Sequence, residues 1–252
     1  KKHGFHLSCF LHLLKPASGQ FEDYVQNEHF CLRLAGALGL RVAKSWTEVI
    51  GDIPVIVIER FDRLRREGRP VVRVHQEDVC QALAKYPASK YQNEGGPSAG
   101  AIFGLIREQS SRSEDDVNRF LDAMIYNWLI GGTDAHSKNY GFLLAGGAQV
   151  RLCPLYDLSS SLPYPKEIPP RKVKLAMKIG GTYQLSHIGP AEWERAAREW
   201  KLDPDEVADR IVRMVKAIPD AMRGLEKGGD LVRRLGDELI ERVSALRKMF
   251  DP

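Results

Sequence analysis

One stretch limits the possible folds of this chain more than any other. Between Ser113 and Asp157 the hydrophobic period changes once, from helical to strand-like. Val117, Phe120, Leu121, Met124, Ile125, Trp128 and Leu129 make an apolar stripe at helical spacing. Ser113, with Asp116 behind it, resembles a capping box that opens this helix. The run YGFLLAGGAQVRLCPLYD then reads as strand, turn, strand, with Gly146 and Gly147 at the turn. That centring sets Asn139 opposite residue 154 or so, with Asp157 just beyond the open end. Asp134 stands in the loop that leaves the helix, ahead of Asn139. The local pattern alone therefore gathers two carboxylates and one amide at the mouth of a hairpin.

That set has a definite chemistry. One carboxylate and one amide oxygen form a hard oxygen site, which suits Mg²⁺ because that ion takes few protein ligands and fills its shell with water and phosphate oxygens. Asn139 and Asp157 are the candidate metal ligands, which leaves Asp134 to accept a proton from a hydroxyl. A base, a metal pair and a cation for phosphates are the parts needed for phosphoryl transfer. Asp134 and Asn139 keep the spacing found between the base and the metal-binding Asn of protein kinases. Lys15 ends a strand ahead of a helix carrying Glu28, as expected for a phosphate-contacting lysine held by a glutamate. The backbone at Glu59, Arg60 and Phe61 would offer a donor–acceptor edge to a nucleotide base.

The rest of the chain supplies the frame. LSCFLHLLK, residues 7–15, reads as a strand stopped by Pro16, and NEHFCLRLAGALGL as a helix closed by Gly39. VAKSWTEVI and IPVIVIERF read as strands joined by a turn at Gly51 and Asp52. Residues 1–61 thus form a small mixed lobe with the order strand, helix, strand, strand. Residues 62–252 read as a larger, mainly helical lobe, with helices beginning over 75–85 and spanning about 190–200, 204–217 and 230–249. Residues 86–98 and the proline-rich 159–172 read as loops, and the basic cluster 63–73 as a solvated one. The fold class is α+β in two lobes. A net charge of +4 tolerates an anionic ligand without suggesting a nucleic-acid coat. Cys9, Cys31, Cys80 and Cys153 form no CxxC pair and read as buried thiols of a reducing cytoplasm. No apolar run reaches the roughly 20 residues of a membrane span. His29, His75 and His187 lack ligand spacing. The chain opens on Lys1 rather than Met, so residues upstream are expected.

Six motifs then carry a resemblance: NEHFCLRLAGALGL, VIERFDR, HQEDVCQAL, KYQNEGGPS, GGTDAHSKNYGF and PLYDLSS, in order over residues 27–160. Together they resemble the HipA family of bacterial serine/threonine kinases, the toxin half of HipA–HipB toxin–antitoxin pairs. The resemblance implies a two-lobed protein-kinase-like fold, ATP and Mg²⁺. It implies a HipB-like helix-turn-helix antitoxin that carries the contact with operator DNA. It also implies a protein substrate of the aminoacyl-tRNA synthetase class, chiefly the glutamyl enzyme, and autophosphorylation of a Ser in a nucleotide-covering loop. By motif, Asp134 matches the base, Asn139 and Asp157 the metal ligands, and Lys15 the ATP-contacting lysine, with His136 and Lys138 as further phosphate contacts in the same loop. The family's Gly/Ser-rich loop and small N-terminal subdomain have no counterpart ahead of Lys15 here. Asp157 stands in YDLS rather than DFG, so no DFG-type switch is expected. Two other classes fit the same residues: a small-molecule kinase of the aminoglycoside-phosphotransferase kind, and a silent kinase-like module that binds an antitoxin. The GGPS stretch reads as a plain turn.

Overall fold

The structure is a computed structural model that describes residues 10–17, 21–225 and 228–251. Strand β1 (His12–Pro16) is followed by helix α1 (Tyr24–Ala37), then β2 (Ser45–Ile50) and β3 (Ile53–Glu59). The three strands form one antiparallel sheet in the order β1-β3-β2, in which Lys15 faces Ile56 across the ladder. The β-branched run Val55–Ile58 is buried because β3 is the central strand. Gly51 turns at φ 63 and Gly39 at φ 84, the left-handed conformations that glycine adopts without a Cβ penalty. β1 runs one residue further than expected, since Pro16 at the strand end still pairs with Val55. Residues 7–9 of the expected strand lie outside the described residues.

The chain continues through β4 (Arg63–Leu64), β5 (Val72–Arg73), β6 (His75–Asp78), α2 (Val79–Ala82), α3 (Ala99–Gln109) and α4 (Ser113–Leu129). β7 (Gly141–Ala145) and β8 (Gln149–Leu152) come next, then β9 (Lys174–Ile179), β10 (Thr182–Gln184), α5 (Pro190–Glu199), α6 (Pro204–Arg223) and α7 (Asp230–Phe250). Every residue of the α4 apolar stripe is buried. Around it Trp128 meets Trp193 at 5.4 Å and Trp193 meets Trp200 at 6.0 Å, edge to face, fixing α5 against the long helix. Burial of each such side chain stabilises by roughly 1.5–3 kcal/mol. Among the described residues, no helix is long and apolar enough to cross a membrane.

The tertiary structure differs from the sequence reading at definite places. Residues 75–78 are a strand, not the start of a helix: β6 pairs with β7, and the sheet order is β6-β7-β8. His-Gln-Glu-Asp has no apolar alternation to mark a strand, because this edge is held by backbone bonds to a partner far along the chain. Helix α2 begins only at Val79, under a capping box of Asp78 and Gln81. The capping box expected at Ser113 does not form. Arg112 is the N-cap, and the Asp116 side chain is drawn inward to Arg119, Arg151 and Ser110. The basic segment 63–73 is a short ribbon of β4 and β5 rather than a plain loop. Helix α6 passes through Pro219 to Arg223, beyond the expected 217. The hairpin turn falls on Gly146 and Gly147 as expected, and the register Phe142↔Leu152 extrapolates to Asn139 against residue 155.

Candidate active site

The Lys15 ammonium is the junction of the site. Strand β1 presents it 2.8 Å from Glu28 Oε2 and 2.6 Å from Asp157 Oδ1. Burial pulls the lysine toward its neutral form, but the Glu28 and Asp157 carboxylates outweigh that and hold it charged above its usual range. Glu28 is 1 % exposed on the inner face of α1. Burial lifts its pKa to about 7, against the pull of Lys15. The expected pairing of strand lysine and helix glutamate is therefore present, and Asp157 closes it into a triad.

Helix α1 also fixes the chain that follows Asp157. Asn27, fully buried, donates from Nδ2 to Ser160 O at 2.8 Å and accepts from Ser160 N at 2.9 Å. Tyr24 donates to Ser159 Oγ at 3.0 Å. Asp157 itself turns at φ 57, a left-handed conformation that Asp tolerates better than most residues. Residues Asn27, Glu28 and Tyr24 thus aim one helix face at the YDLSSS segment.

On the other side, α4 ends at Leu129 and delivers the loop 130–140. His136 N donates to Asp134 O at 2.7 Å, and Asn139 Nδ2 donates to the same carbonyl at 2.7 Å. That bond fixes which end of the Asn139 amide is the oxygen. Tyr156 OH donates to Lys138 O at 2.8 Å, so the residues preceding Asp157 and Asn139 are joined directly. Asn139 precedes β7 and Asp157 follows β8 at the same end of the hairpin, and the Tyr156–Lys138 bond links their two segments. Asp134 receives a hydrogen bond from Tyr91 OH on Oδ1. His136 is buried, with Nε2 3.8 Å from Asp134 Oδ1 and its ring edge-on to Tyr91. Burial lowers the His136 pKa below its ordinary value, although Asp134 opposes this, so the ring is neutral at pH 7. Lys138 turns to Asp78 at 2.5 Å, the residue that caps α2.

Two recesses flank these groups. One, of ≈ 240 Å³, has Leu13, Ile58, Phe61 and Tyr156 in its apolar part and Lys15, Glu28, Asp62 and Asp157 in its charged part. Glu59 and Arg60 line it as well, but their amides are spent: Glu59 N donates to Lys44 O and Arg60 N to Leu11 O, each at 2.8 Å. The backbone edge expected across Glu59–Phe61 is narrowed accordingly. The Arg60 guanidinium pairs with Asp62, and the Phe61 ring lies 5.6 Å from that of Tyr156. The second recess, of ≈ 360 Å³, contains Asp134, Tyr91, Tyr24, Ser159 and Tyr164. A cation between two carboxylates beside an apolar slot fits a nucleotide triphosphate. A carboxylate and an oriented amide oxygen at one hairpin mouth fit a hard divalent cation that takes its remaining ligands from phosphate and water.

The sequence profile of the HipA-like C-terminal domain matches residues 6–222. The chain belongs to the HipA-like C-terminal domain family. Y4mE of Sinorhizobium fredii, named as a candidate kinase, is 39% identical over 243 residues, covering 94% of this chain and 57% of that protein. The serine/threonine-protein kinase toxin HipA of Shewanella oneidensis is 28% identical over 217 residues, covering 81% of this chain and 49% of that one. This HipA-like chain thus spans about half the length of the curated relatives it matches. Among solved structures, the Shewanella oneidensis HipA in complex with HipB and operator DNA superposes with a TM-score of 0.86 at 25% identity, over 96% of this chain and 59% of that one. The Helicobacter pylori proinflammatory kinase CtkA superposes at 0.65 with 16% identity, a likeness of fold. The HipA-like domain therefore has the two-lobed kinase-like α+β fold, with a small mixed lobe and a larger, mainly helical one.

Sequence reasoning passed over Tyr91, Tyr24 and Asn27 as contributors. Tyr91 lies in the quoted KYQNEGGPS motif, but nothing local distinguishes a tyrosine bound for Asp134 from a loop aromatic. Asn27 stands beside Glu28 in a helix whose polar buried face becomes meaningful only when Ser160 lies against it.

Proposed function

We propose that this chain is the catalytic part of an ATP- and Mg²⁺-dependent protein serine/threonine kinase of the HipA type. The observation that carries the reading is the triad of Lys15, Glu28 and Asp157, with Asp134 across the hairpin mouth. Residues 1–61 form the nucleotide-side lobe and residues 62–252 the lobe carrying Asp134. Lys15, oriented by Glu28, binds phosphate oxygens. Leu13, Ile58 and Phe61 enclose the base, with Glu59 and Arg60 at its edge. Asp134 orients the acceptor hydroxyl and takes its proton as the oxygen–phosphorus bond forms and the β,γ bridge breaks. Asn139 and Asp157 hold Mg²⁺, which when bound neutralises charge on the phosphates. His136 packs the loop, and Lys138, paired with Asp78, ties the loop to the start of α2. That the similar Shewanella oneidensis HipA forms a complex with HipB and operator DNA supports a toxin role here, with a HipB-like antitoxin mediating any DNA contact. The substrate we propose is an aminoacyl-tRNA synthetase, the glutamyl type first, in the cytoplasm.

The test is label transfer from γ-labelled ATP to a synthetase panel. Asp134→Asn stops transfer and leaves ATP affinity within about threefold, because Asp134 acts only on the acceptor. Asp157→Ala weakens Mg·ATP binding as well. Equal turnover by wild type and Asp134→Asn overturns the assignment.

A further inference from the structure

The KYQNEGGPS motif has no part in the function so far described, yet its tyrosine touches the Asp134 carboxylate. Tyr91 OH donates to Oδ1, the oxygen that His136 Nε2 also approaches at 3.8 Å. Both neighbours of Tyr91 are anchored. Lys90 O accepts from Ser137 Oγ at 2.8 Å, within the Asp134 loop itself, and Gln92 Oε1 accepts from Lys178 N at 2.8 Å on β9. The Tyr91 carbonyl accepts from Glu94 N at 3.0 Å and Gly96 N at 2.9 Å. The ring is packed edge-on against His136 at 5.1 Å, with the Lys90 ammonium 5.0 Å from its centroid.

This arrangement explains the paired glycines. A Cβ on Gly96 would stand 2.5 Å from Ser89 O and 2.7 Å from Tyr91 O, both backbone atoms that cannot yield. Gly95 turns at φ 86. The turn is therefore folded tightly on the Tyr91 carbonyl, and only glycine permits that approach.

Resting on the reading above, in which Asp134 receives the acceptor proton, we propose that Tyr91 is a positioning residue for that carboxylate. Its phenol fixes Oδ1, so that Oδ2 is the oxygen offered to the acceptor hydroxyl, and the 86–98 loop serves to hold the phenol there. The rival idea is that the phenol merely occupies the acceptor's place and leaves at each turnover. Anchoring on both flanks and on the ring argues against a group built to leave. Burial, together with the Asp134 charge, raises the phenol's pKa, which keeps it a donor at neutral pH.

The experiment uses the full chain with γ-labelled ATP and dephosphorylated casein as acceptor. Tyr91→Phe removes one oxygen. It lowers kcat on the order of tenfold to a hundredfold, the effect of one hydrogen bond to a charged group, while KM for ATP stays within about twofold. Gly96→Ala lowers kcat in the same way, and the double variant is no slower than the slower single one, because both act through one contact. In parallel, 3-fluorotyrosine placed at position 91 gives a fluorine resonance that titrates above the free amino acid and returns toward it when Asp134→Asn is added. An unchanged or raised kcat in Tyr91→Phe overturns the proposal, as does a fluorine titration indifferent to Asp134→Asn. If Asp134→Asn is silent and Tyr91→Phe is unimpaired, the kinase reading stands and this inference alone falls. If Asp134→Asn itself transfers phosphate at the wild-type rate, the kinase reading falls, and this proposal with it.

Discussion

Replacing Asp116 with Asn should loosen the hairpin that carries the site, and the loss should depend on pH in a set direction. The Asp116 carboxylate is fully enclosed and accepts five hydrogen bonds. Ser110 Oγ donates at 2.6 Å and Arg119 Nη1 at 2.6 Å, Arg151 donates twice at 3.0 Å, and Leu152 N, on β8, donates at 2.9 Å. The group thus fastens β8, and through it Asp157, to α4. Asn keeps the shape but removes the charge that Arg119 and Arg151 share, while Arg151 keeps Asp115, which costs about 2–3 kcal/mol at pH 7. Burial alone would raise the carboxyl's pKa, but Arg151, Ser110, the Leu152 amide and Arg119 together hold it at about 2. A depressed carboxylate contributes stability above its unfolded value, and that stability is lost as pH falls through the folded value. The gap between wild type and Asp116→Asn should therefore narrow by about 2 kcal/mol between pH 5 and pH 2, as the wild type surrenders its charge. Urea unfolding midpoints at a series of pH values measure this. A gap that stays constant or widens on acidification would refute the argument that the ionised carboxylate, rather than its shape, binds hairpin to helix.

Three further outcomes follow from the same packing. Glu28 has a raised folded pKa of about 7, so it contributes full stability below about 4.5 and loses it as pH rises through about 7. Glu28→Gln should flatten that decline in urea midpoints, and an unaltered slope would contradict it. Asn27→Ala leaves the buried amide and carbonyl of Ser160 without their partners, which should cost about 2–4 kcal/mol and lower Tm by roughly 5–10 °C by calorimetry. Lys15→Met removes the cation from between Glu28 and Asp157, so ATP affinity should fall at least about tenfold by calorimetric titration, with Glu28 taking up a proton.

Much of the fold is legible in the chain because its signals are local. The α4 stripe, the Gly146 and Gly147 turn and the Gly51 turn each depend on residues within one or two turns of one another, and the structure has all three. Strand β6 was hidden because its four residues are polar and its pairing partner β7 lies beyond three helices, α2, α3 and α4. The Ser113 cap failed for the complementary reason. Local spacing favoured it, but Asp116 had stronger partners in Arg119 and Arg151, the latter across the hairpin.

The sequence by itself determined the spacing of Asp134, Asn139 and Asp157, since one loop after α4 and the hairpin that follows it carry all three. Only the tertiary structure decided that Lys15 meets Asp157 across 142 residues, that Asn27 clasps Ser160, and that Tyr91 rests on Asp134. Contacts of that kind leave no period in the chain. They arise when buried polar groups from distant elements must satisfy one another, and only the packed arrangement states which ones meet.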